Sequence, residues 1–348
     1  MKIINKIKNN EFVKGVLSVG TGNIIGQGLS IITVPILSRI YSVEAYGEYG
    51  IITSLATIIT SFASLGLMSA IMAPKDDIES DEIFTVAFYT QLFLTSFIFL
   101  VFLFISPFHK MYKIEGSYYF SLFISWIYVL LTNVKNILYV SMNRKKMNKT
   151  LLWNPIIGGL GNILIALPLG LIGFGYEGFM VAVVLSELVM CFYMFYKKNP
   201  LRKRISLIKY KQIIIKYKDY ILFQCPSNVV ETYGTQYPVQ FLSNKYDTTA
   251  LGGFIMCEKL LKYPTTLIAS PVSLIYFRTA SLYSSQGKSI AEFTYKMIIK
   301  LLLIALIPVI VVILWSESIF TFILGTKWSE VGTMSSILIY QYVLLFCS

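Results

Sequence analysis

Charged residues are scarce in this chain. Asp, Glu, Lys and Arg make up 14% of its 348 residues, whereas a soluble domain carries about 25%. Hydrophobic residues make up 55%, and the mean hydropathy is +0.66. An ordinary soluble enzyme is therefore excluded, and we expect an integral membrane protein.

Histidine and cysteine are also rare, which bears on metal and disulfide chemistry. The chain has one histidine, His109, and four cysteines. The cysteines are scattered over apolar segments with no CxxC or Cys–His spacing, so they predict neither a disulfide framework nor a metal site. We expect no metal and no cofactor.

Negative charge is in shorter supply than positive charge, with 18 acidic residues against 30 lysines and arginines and a net charge of +12. In a soluble domain this excess would suggest nucleic acid. Here the cations cluster in particular loops, most densely in 197–219, which is typical of cytoplasmic loops of membrane proteins. We therefore expect a cytoplasmic N-terminus and no nucleic-acid partner. The acidic loop 75–82 (KDDIESDE) lies on the same side, but carboxylates contribute little to this rule.

Long apolar runs dominate the rest of the chain. A helix needs about 20 apolar residues to cross the hydrocarbon core. Ten segments reach or approach that length: 15–38, 49–74, 83–108, 117–140, 151–173, 178–196, 220–243, 251–277, 297–315 and 331–348. The sequence therefore predicts an all-α membrane protein with about ten spanning helices.

A fifteen-residue stretch occurs twice, 205 positions apart: 37–51 (LSRIYSVEAYGEYGI) and 242–256 (LSNKYDTTALGGFIM). The identical pairs include Tyr41/Tyr246 and Gly47/Gly252. Internal repeats are typical of secondary transporters, which hold substrate between two similar halves. We expect two pseudo-symmetric helical lobes around a central cavity, 1–205 with a basic linker from about 197, and 206–348. Position 348 corresponds to 143 of the first lobe, so we expect ten helices of an original twelve, although a ten-helix architecture is an alternative.

Polar residues follow one face of the first helix of each lobe. Asn23 and Gln27 are spaced i, i+4 on the first segment, and the equivalent helix carries a polar stripe formed by Gln224, Asn228, Glu231 and Thr235. Because polar groups that face lipid lack partners, these faces are expected to line a hydrated cavity. Hydrogen bonding between packed helices is the alternative explanation.

Four charged residues fall near the middle of predicted spans: Glu231, Glu258, Lys259 and Lys262. A charge at that depth costs at least about 2.5 kcal/mol if it faces lipid, so these side chains must face water or one another. Structural pairing of Glu258 with Lys262, or of Glu231 with Lys259, would satisfy them. The functional alternative is a cationic substrate site.

That cationic site would comprise Lys259 and Lys262, together with Arg39 and Lys135 nearer the ends of their helices. Its ligand would be a phosphate or an acidic sugar. Glu231 and Glu258 are the candidate coupling-ion or gating groups. Glu187, alone in its segment, either lines the cavity or fills a packing defect.

Three stretches carry a resemblance to a known family: 35–50 (PILSRIYSVEAYGEYG), 263–280 (YPTTLIASPVSLIYFRTA) and 323–332 (ILGTKWSEVG). They are similar to the bacterial O-antigen and capsule oligosaccharide-lipid flippases of the multidrug/oligosaccharidyl-lipid/polysaccharide exporter superfamily. The resemblance implies transport of an undecaprenyl-diphosphate-linked oligosaccharide repeat unit across the bacterial cytoplasmic (inner) membrane by alternating access. The implied pathway is O-antigen, lipopolysaccharide or other surface polysaccharide biosynthesis. The implied partners are that lipid-linked substrate, membrane lipids, a polysaccharide polymerase and chain-length machinery.

Three other functions compete with the flippase. A multidrug or cation antiporter of the same fold should have an acidic cavity, whereas the eighth segment offers two lysines. A membrane polymerase or glycosyltransferase should need a sizeable loop with clustered carboxylates or histidines, so we expect no enzyme. A structural membrane protein would not need charges at mid-depth.

Overall fold

The structure, a computed structural model, describes residues 11–104, 118–197, 205–285 and 289–347. His109 and residues 198–204 of the basic linker lie outside these ranges. Ten long helices follow one another in the described residues: α1 (Glu11–Ile40), α2 (Val43–Ala63), α3 (Asp77–Phe104), α4 (Tyr118–Arg144), α5 (Asn148–Ile172), α6 (Tyr176–Lys197), α8 (Cys225–Lys245), α9 (Thr248–Ser285), α10 (Ile290–Leu324) and α11 (Ser329–Cys347). A shorter helix, α7 (Leu207–Lys216), joins the two groups.

The all-α membrane architecture is confirmed. Each predicted segment corresponds to one of the ten long helices, and the part of the chain that the structure describes contains seven helices both long and apolar enough to cross a membrane. The remaining long helices, α2, α8 and α9, are those that carry the repeats and the polar faces. These three helices, which pack against one another where the two halves meet, have a lower hydropathy than the other long helices.

Two boundaries differ from the prediction. The second segment was expected to run to position 74, but α2 ends at Ala63 because Leu65 and Gly66 adopt left-handed backbone conformations, with φ of 46° and 69°. The loop expected over 197–219 contains the amphipathic helix α7, and a π-helical turn, Tyr220–Gln224, leads from it into α8. Lysines in this stretch hid the helical spacing of its apolar residues.

The first half is a bundle in which α1 packs on α5, α5 on α6, α6 on α4, and α4 on α3. In the second half, α11 packs on α9 and α10. The halves meet chiefly where α2 packs against α8 and α9. Two buried clusters of apolar side chains fill the first half, and one of them extends across the junction to the second.

The two copies of the repeat touch each other reciprocally. A Cβ on Gly47 would lie 2.1 Å from the Thr248 carbonyl oxygen, and a Cβ on Gly252 would lie 1.9 Å from the Val43 carbonyl oxygen. Val43 and Thr248 are themselves 205 positions apart. Only glycine permits so close an approach of two backbones. The contact therefore has local two-fold pseudo-symmetry, and we call the bundle end that contains it the repeat end.

A second set of contacts fastens the halves at the repeat end. Trp328 Nε1 donates a hydrogen bond to the Ser38 carbonyl at 2.9 Å, and Lys327 Nζ donates to the Tyr41 carbonyl at 2.6 Å. The Trp328 ring also meets the Tyr46 ring edge to face, with centroids 5.1 Å apart. We call these contacts the Trp328 clasp. They connect the turn between α1 and α2 to the turn between α10 and α11.

We call the opposite end of the bundle, where the lysines and arginines cluster, the basic end. It also contains the acidic residues of 75–82. Four of the five acidic residues of 75–82 are paired with a cation of α7 or at the end of α4: Asp77 with Arg144 (3.1 Å), Glu82 with Lys209 (3.2 Å), Asp81 with Lys145, and Glu79 with Lys216. Tyr217 also donates to Glu79 at 3.0 Å. Burial, and then this carboxylate, raise the pKa of Tyr217 to about 12, so its hydroxyl stays protonated. The acidic segment therefore holds α7 against the first half.

Candidate functional site

A cavity of about 280 Å³ lies inside the first half, among α1, α2, α4, α5 and α6. Its polar lining comes from the side chains of Ser30, Thr33, Asn162, Ser186, Glu187 and Lys259, with the aromatic residues Tyr46, Tyr49 and Tyr128. Among the described residues of the second half, Lys259 alone lines the cavity. The Lys259 side chain enters the cavity from α9, on the helix face that also carries Gly252.

One wall of the cavity carries an ion pair. Lys135 Nζ of α4 lies 2.6 Å from Glu187 Oε1 of α6, and the two side chains are 21% and 9% exposed. Glu187 is near the midpoint of α6, about 15 Å from either end. Its second oxygen, Oε2, is buried without a hydrogen-bond partner in the described part of the chain. A buried carboxylate oxygen left unpartnered is costly, so Glu187 retains capacity to accept another hydrogen bond.

Lys259 contributes a second positive charge to the same cavity. Its ammonium group has no hydrogen-bond or ion-pair partner among the described residues. The residue 205 positions earlier is Ser54, which accepts a hydrogen bond from Gln240 at 3.0 Å. The second half therefore has an unpaired cation where the first half has a neutral, satisfied hydroxyl. With Lys135, Lys259 and Glu187 charged, the cavity has one more positive than negative charge.

The ion pair makes a testable prediction about stability. Lys135→Met should lower the free energy of unfolding by about 3 kcal/mol, because it leaves Glu187 as an uncompensated buried charge. The double variant Lys135→Met/Glu187→Leu should recover most of that loss, since both charges are gone. Thermal unfolding in detergent micelles measures both. Equal stability of the single variant and the parent protein would contradict the pairing.

The other predicted cations lie elsewhere. Lys262 is one turn beyond Lys259 on α9, but its side chain is exposed and does not line the cavity. Arg39 is at the repeat end, where its guanidinium donates to the Phe322 carbonyl at 3.2 Å. Of the four predicted cations, Lys259 lines the cavity directly and Lys135 is held at its wall by Glu187.

The predicted acidic groups are also distributed differently. Glu231 is exposed on α8 and does not line the cavity. Glu258 is half-buried and accepts a hydrogen bond from the Tyr342 hydroxyl of α11. Among the described residues no ion pair joins Glu231 to Lys259. The alternative of a structural bridge between these two residues is therefore not formed in this arrangement.

The polar stripe of α8 is partly satisfied within its own helix. Gln224 Nε2 donates to Asn228 Oδ1 at 2.8 Å, and Thr235 Oγ1 donates to the Thr232 carbonyl at 2.8 Å. On α1, Asn23 is exposed and Gln27 is half-buried. None of these residues lines the cavity. The structure brings α1 and α8 into no extended contact over the described residues.

Sequence reasoning left the role of Glu187 undecided. The available signal was a single carboxylate halfway along an otherwise apolar segment, since such charges in spans are expected to be functional. Its partner could not be assigned because Lys135 lies 52 positions earlier on a helix that packs beside α6 only in the folded bundle. Ser186 and Asn162 carried no comparable signal.

Comparison with known proteins gives a family match and a relative. A family model described as a polysaccharide biosynthesis protein matches residues 36–333. The succinoglycan biosynthesis transport protein ExoT of Rhizobium meliloti (strain 1021) is 21% identical over 253 residues, which cover 72% of this chain. The chain spans about half the length of that curated relative, since the match covers 50% of it.

Solved structures share the fold. A multidrug resistance transporter of the MATE family, from the MOP superfamily, in an inward-facing conformation superimposes with a TM-score of 0.62 at 16% identity, covering 94% of this chain and 80% of that one. A MOP-superfamily transporter from Pyrococcus furiosus Vc1 (DSM3638), with a binding pocket described as reversed in polarity, gives 0.58 at 13% identity, covering 98% and 81%. The likeness establishes the fold of these exporters.

Proposed function

From the premise that this chain belongs to the polysaccharide biosynthesis protein family, a family of membrane transport proteins, we propose that it is a flippase for a lipid-linked oligosaccharide. The substrate would be an undecaprenyl-diphosphate-linked repeat unit of a surface polysaccharide, moved from the cytoplasmic to the outer leaflet of a bacterial inner membrane. The observation that carries this proposal is the excess positive charge of a mid-depth cavity in the first half, to which the second half contributes Lys259.

The charges of the cavity favour an anionic cargo. A diphosphate group offers several acceptor oxygens to ammonium groups, and charge-assisted hydrogen bonds of this kind are short and strong. Lys259 has no partner among the described residues, and Lys135 is held by a single carboxylate oxygen. Before substrate binds, Glu187 acts as the counter-ion that holds Lys135 in place. The diphosphate would then displace Glu187 from Lys135. An organic cation would instead meet an unpaired lysine.

Alternating access is the mechanism that the contacts between the halves favour. The positive-inside rule assigns the basic end to the cytoplasm, so the Trp328 clasp and the reciprocal glycine contact would close the outer side. The polar faces of α1 and α8 lie apart at the basic end. Opening of the clasp, with approach of α1 and α8, would expose the cavity to the other side of the membrane.

The clasp provides a test of this gate. Trp328→Phe keeps the ring that packs on Tyr46 but removes the donor to the Ser38 carbonyl. A net hydrogen bond is worth about 0.5–1.5 kcal/mol, so exposure of the cavity to the outside should rise about two- to tenfold. The measurement is labelling of Thr33→Cys by an impermeant maleimide added outside, in a protein without native cysteines.

A matched control for that measurement is Trp315→Phe. Trp315 is 54% exposed on α10 and lies outside the clasp. It should leave the labelling rate unchanged. If Trp328→Phe also leaves the rate unchanged, the clasp is not an outer gate.

The function itself is tested in proteoliposomes that contain a fluorescent undecaprenyl-diphosphate oligosaccharide. Protein-dependent movement of that lipid between leaflets, measured by access of an external glycosidase, is the expected result. Vesicles without protein provide the baseline. Proton-driven exchange of an organic cation, with no movement of the lipid, would contradict the flippase proposal and support an antiporter.

A further inference from the structure

The linker helix α7 has one face that binds the protein. Ile213 is 4% exposed within the cluster of apolar side chains at the basic end. Lys209 pairs with Glu82, and the Tyr210 hydroxyl bonds to Thr90, both on α3. The start of α7 contacts later residues of α3 than its end does, so the two helices run antiparallel. The helix is therefore fixed along the side of α3 rather than hanging in solvent.

The opposite face of α7 is apolar and uncovered. Leu207, Ile208 and Ile215 are 87%, 74% and 56% exposed. At 100° per residue these three side chains and Lys211 cluster on the side of the helix away from Ile213. Apolar residues on an exposed helix face, with lysine among them, are typical of helices that lie in a membrane interface.

The position of α7 along α3 places this face at membrane depth. Glu79 contacts the end of α7, whereas Thr90 contacts its beginning. Thr90 is about 20 Å along α3 from its first residue, Asp77, at 1.5 Å per residue. Since α3 is one of the helices that can cross the membrane and Lys209 of the same turn pairs with Glu82, the first turn of α7 lies where the charged start of α3 meets its apolar part, at the boundary between headgroups and acyl chains.

We propose that the free face of α7 binds anionic phospholipids of the leaflet at the basic end. Leu207, Ile208 and Ile215 would contact acyl chains, and Lys211 and Lys218 would bind the headgroup phosphates. Both lysines are exposed and form no ion pair with a described residue. The long lysine stem allows its ammonium group to reach the headgroups while its methylenes stay among apolar neighbours.

Anionic lipid fits this face better than a protein partner does. Four acidic side chains of the neighbouring segment are already paired with Arg144, Lys145, Lys209 and Lys216, so these carboxylates are not available to Lys211 and Lys218. The exposed apolar character continues into the π-helical turn, where Leu222 and Phe223 are 59% and 73% exposed. One lipid layer can cover both parts at once. The proposal is independent of the transported substrate.

This binding would regulate the junction between the halves. The linker α7 is held to the first half by ion pairs, and the π-helical turn Tyr220–Gln224 directly follows it before α8 begins. π-Helical turns within helices occur frequently at functional sites. Anionic lipid bound to α7 would keep the linker with the first half, so that movement of the second half is concentrated at the turn.

The test uses tryptophan as a probe of lipid contact in the full chain. Ile208→Trp is reconstituted in vesicles that contain brominated phosphatidylglycerol or brominated phosphatidylcholine, and the parent protein supplies the background signal of its own tryptophans. We expect quenching by both lipids, with an association for the anionic lipid that is higher by about fivefold for each bound lysine. Ile215→Trp on the same face is the second probe should Ile208→Trp not fold.

Two further variants identify the headgroup contacts. Lys211→Gln/Lys218→Gln should abolish the preference for phosphatidylglycerol while quenching by phosphatidylcholine remains. Lys149→Gln, an exposed lysine near the same end but outside α7, is the matched control and should retain the preference. Equal quenching by the two lipids would overturn anionic recognition. The absence of quenching by either lipid would overturn membrane contact, and binding of a protein partner would then be the alternative.

Discussion

Gly252→Ala should reduce transport at least about fivefold. The added methyl group would lie 1.9 Å from the Val43 carbonyl oxygen, and that backbone atom cannot move without separating α2 from α9. Overpacking of this kind costs about 1–3 kcal/mol, which corresponds to about a five- to 150-fold change in the population of the closed repeat end. Transport of lipid-linked oligosaccharide in proteoliposomes measures the loss, and cysteine labelling from the outside measures the opening.

The neighbouring glycine offers a matched control. A Cβ on Gly253 would meet Met334 Sδ at 3.4 Å, an ordinary contact with the flexible part of a side chain. Gly253→Ala should therefore preserve transport, whereas Gly47→Ala should reproduce the defect from the other half. If Gly252→Ala and Gly253→Ala behave alike, the reciprocal contact has no special role in closure.

Lys259→Ala should reduce transport about 10- to 100-fold without a matching loss of stability. A hydrogen bond to a charged group contributes about 1.5–3 kcal/mol, and in the part of the chain that the structure describes Lys259 has no partner that its removal would leave unsatisfied. The loss should therefore appear in binding and transport of the diphosphate substrate. Binding of the lipid-linked substrate, followed by intrinsic fluorescence, gives the affinity directly.

Lys262→Ala is the control for Lys259→Ala. It removes the same charge from the same helix, but its side chain is exposed and does not line the cavity. Transport should stay within about twofold of the parent, as expected for a surface change. Lys259→Arg should retain part of the activity because it keeps the positive charge. Equal defects for Lys259→Ala and Lys262→Ala would show that net charge, rather than the cavity, matters.

Much of the architecture could be predicted because the membrane imposes a simple rule. Each spanning segment must satisfy its backbone internally, so apolar length alone identified all ten long helices. The break after Ala63 could not be predicted in this way. The left-handed Gly66 lies against the Tyr220 carbonyl, where a Cβ would approach to 2.5 Å. That contact joins residues 154 positions apart, and no local pattern reveals it.

The candidate site was predictable only in part. Depth in the membrane identified Lys259 as a cation that must face something polar. Depth gives no information about direction, however: Lys259 lines the cavity, whereas Lys262 is exposed and Glu258 lies beside Tyr342 of α11. Arg39 and Lys135 could be placed near helix ends, but their partners Phe322 and Glu187 come from distant parts of the chain. Tertiary packing decides which charged groups share a cavity.

The reciprocal glycine contact has one further consequence for movement. Because each half meets the other through the same atoms, any tilt of α2 away from α9 loosens both close approaches together. Neither approach can be kept while the other is lost. Separation of the halves at this crossing is therefore expected to be all-or-none.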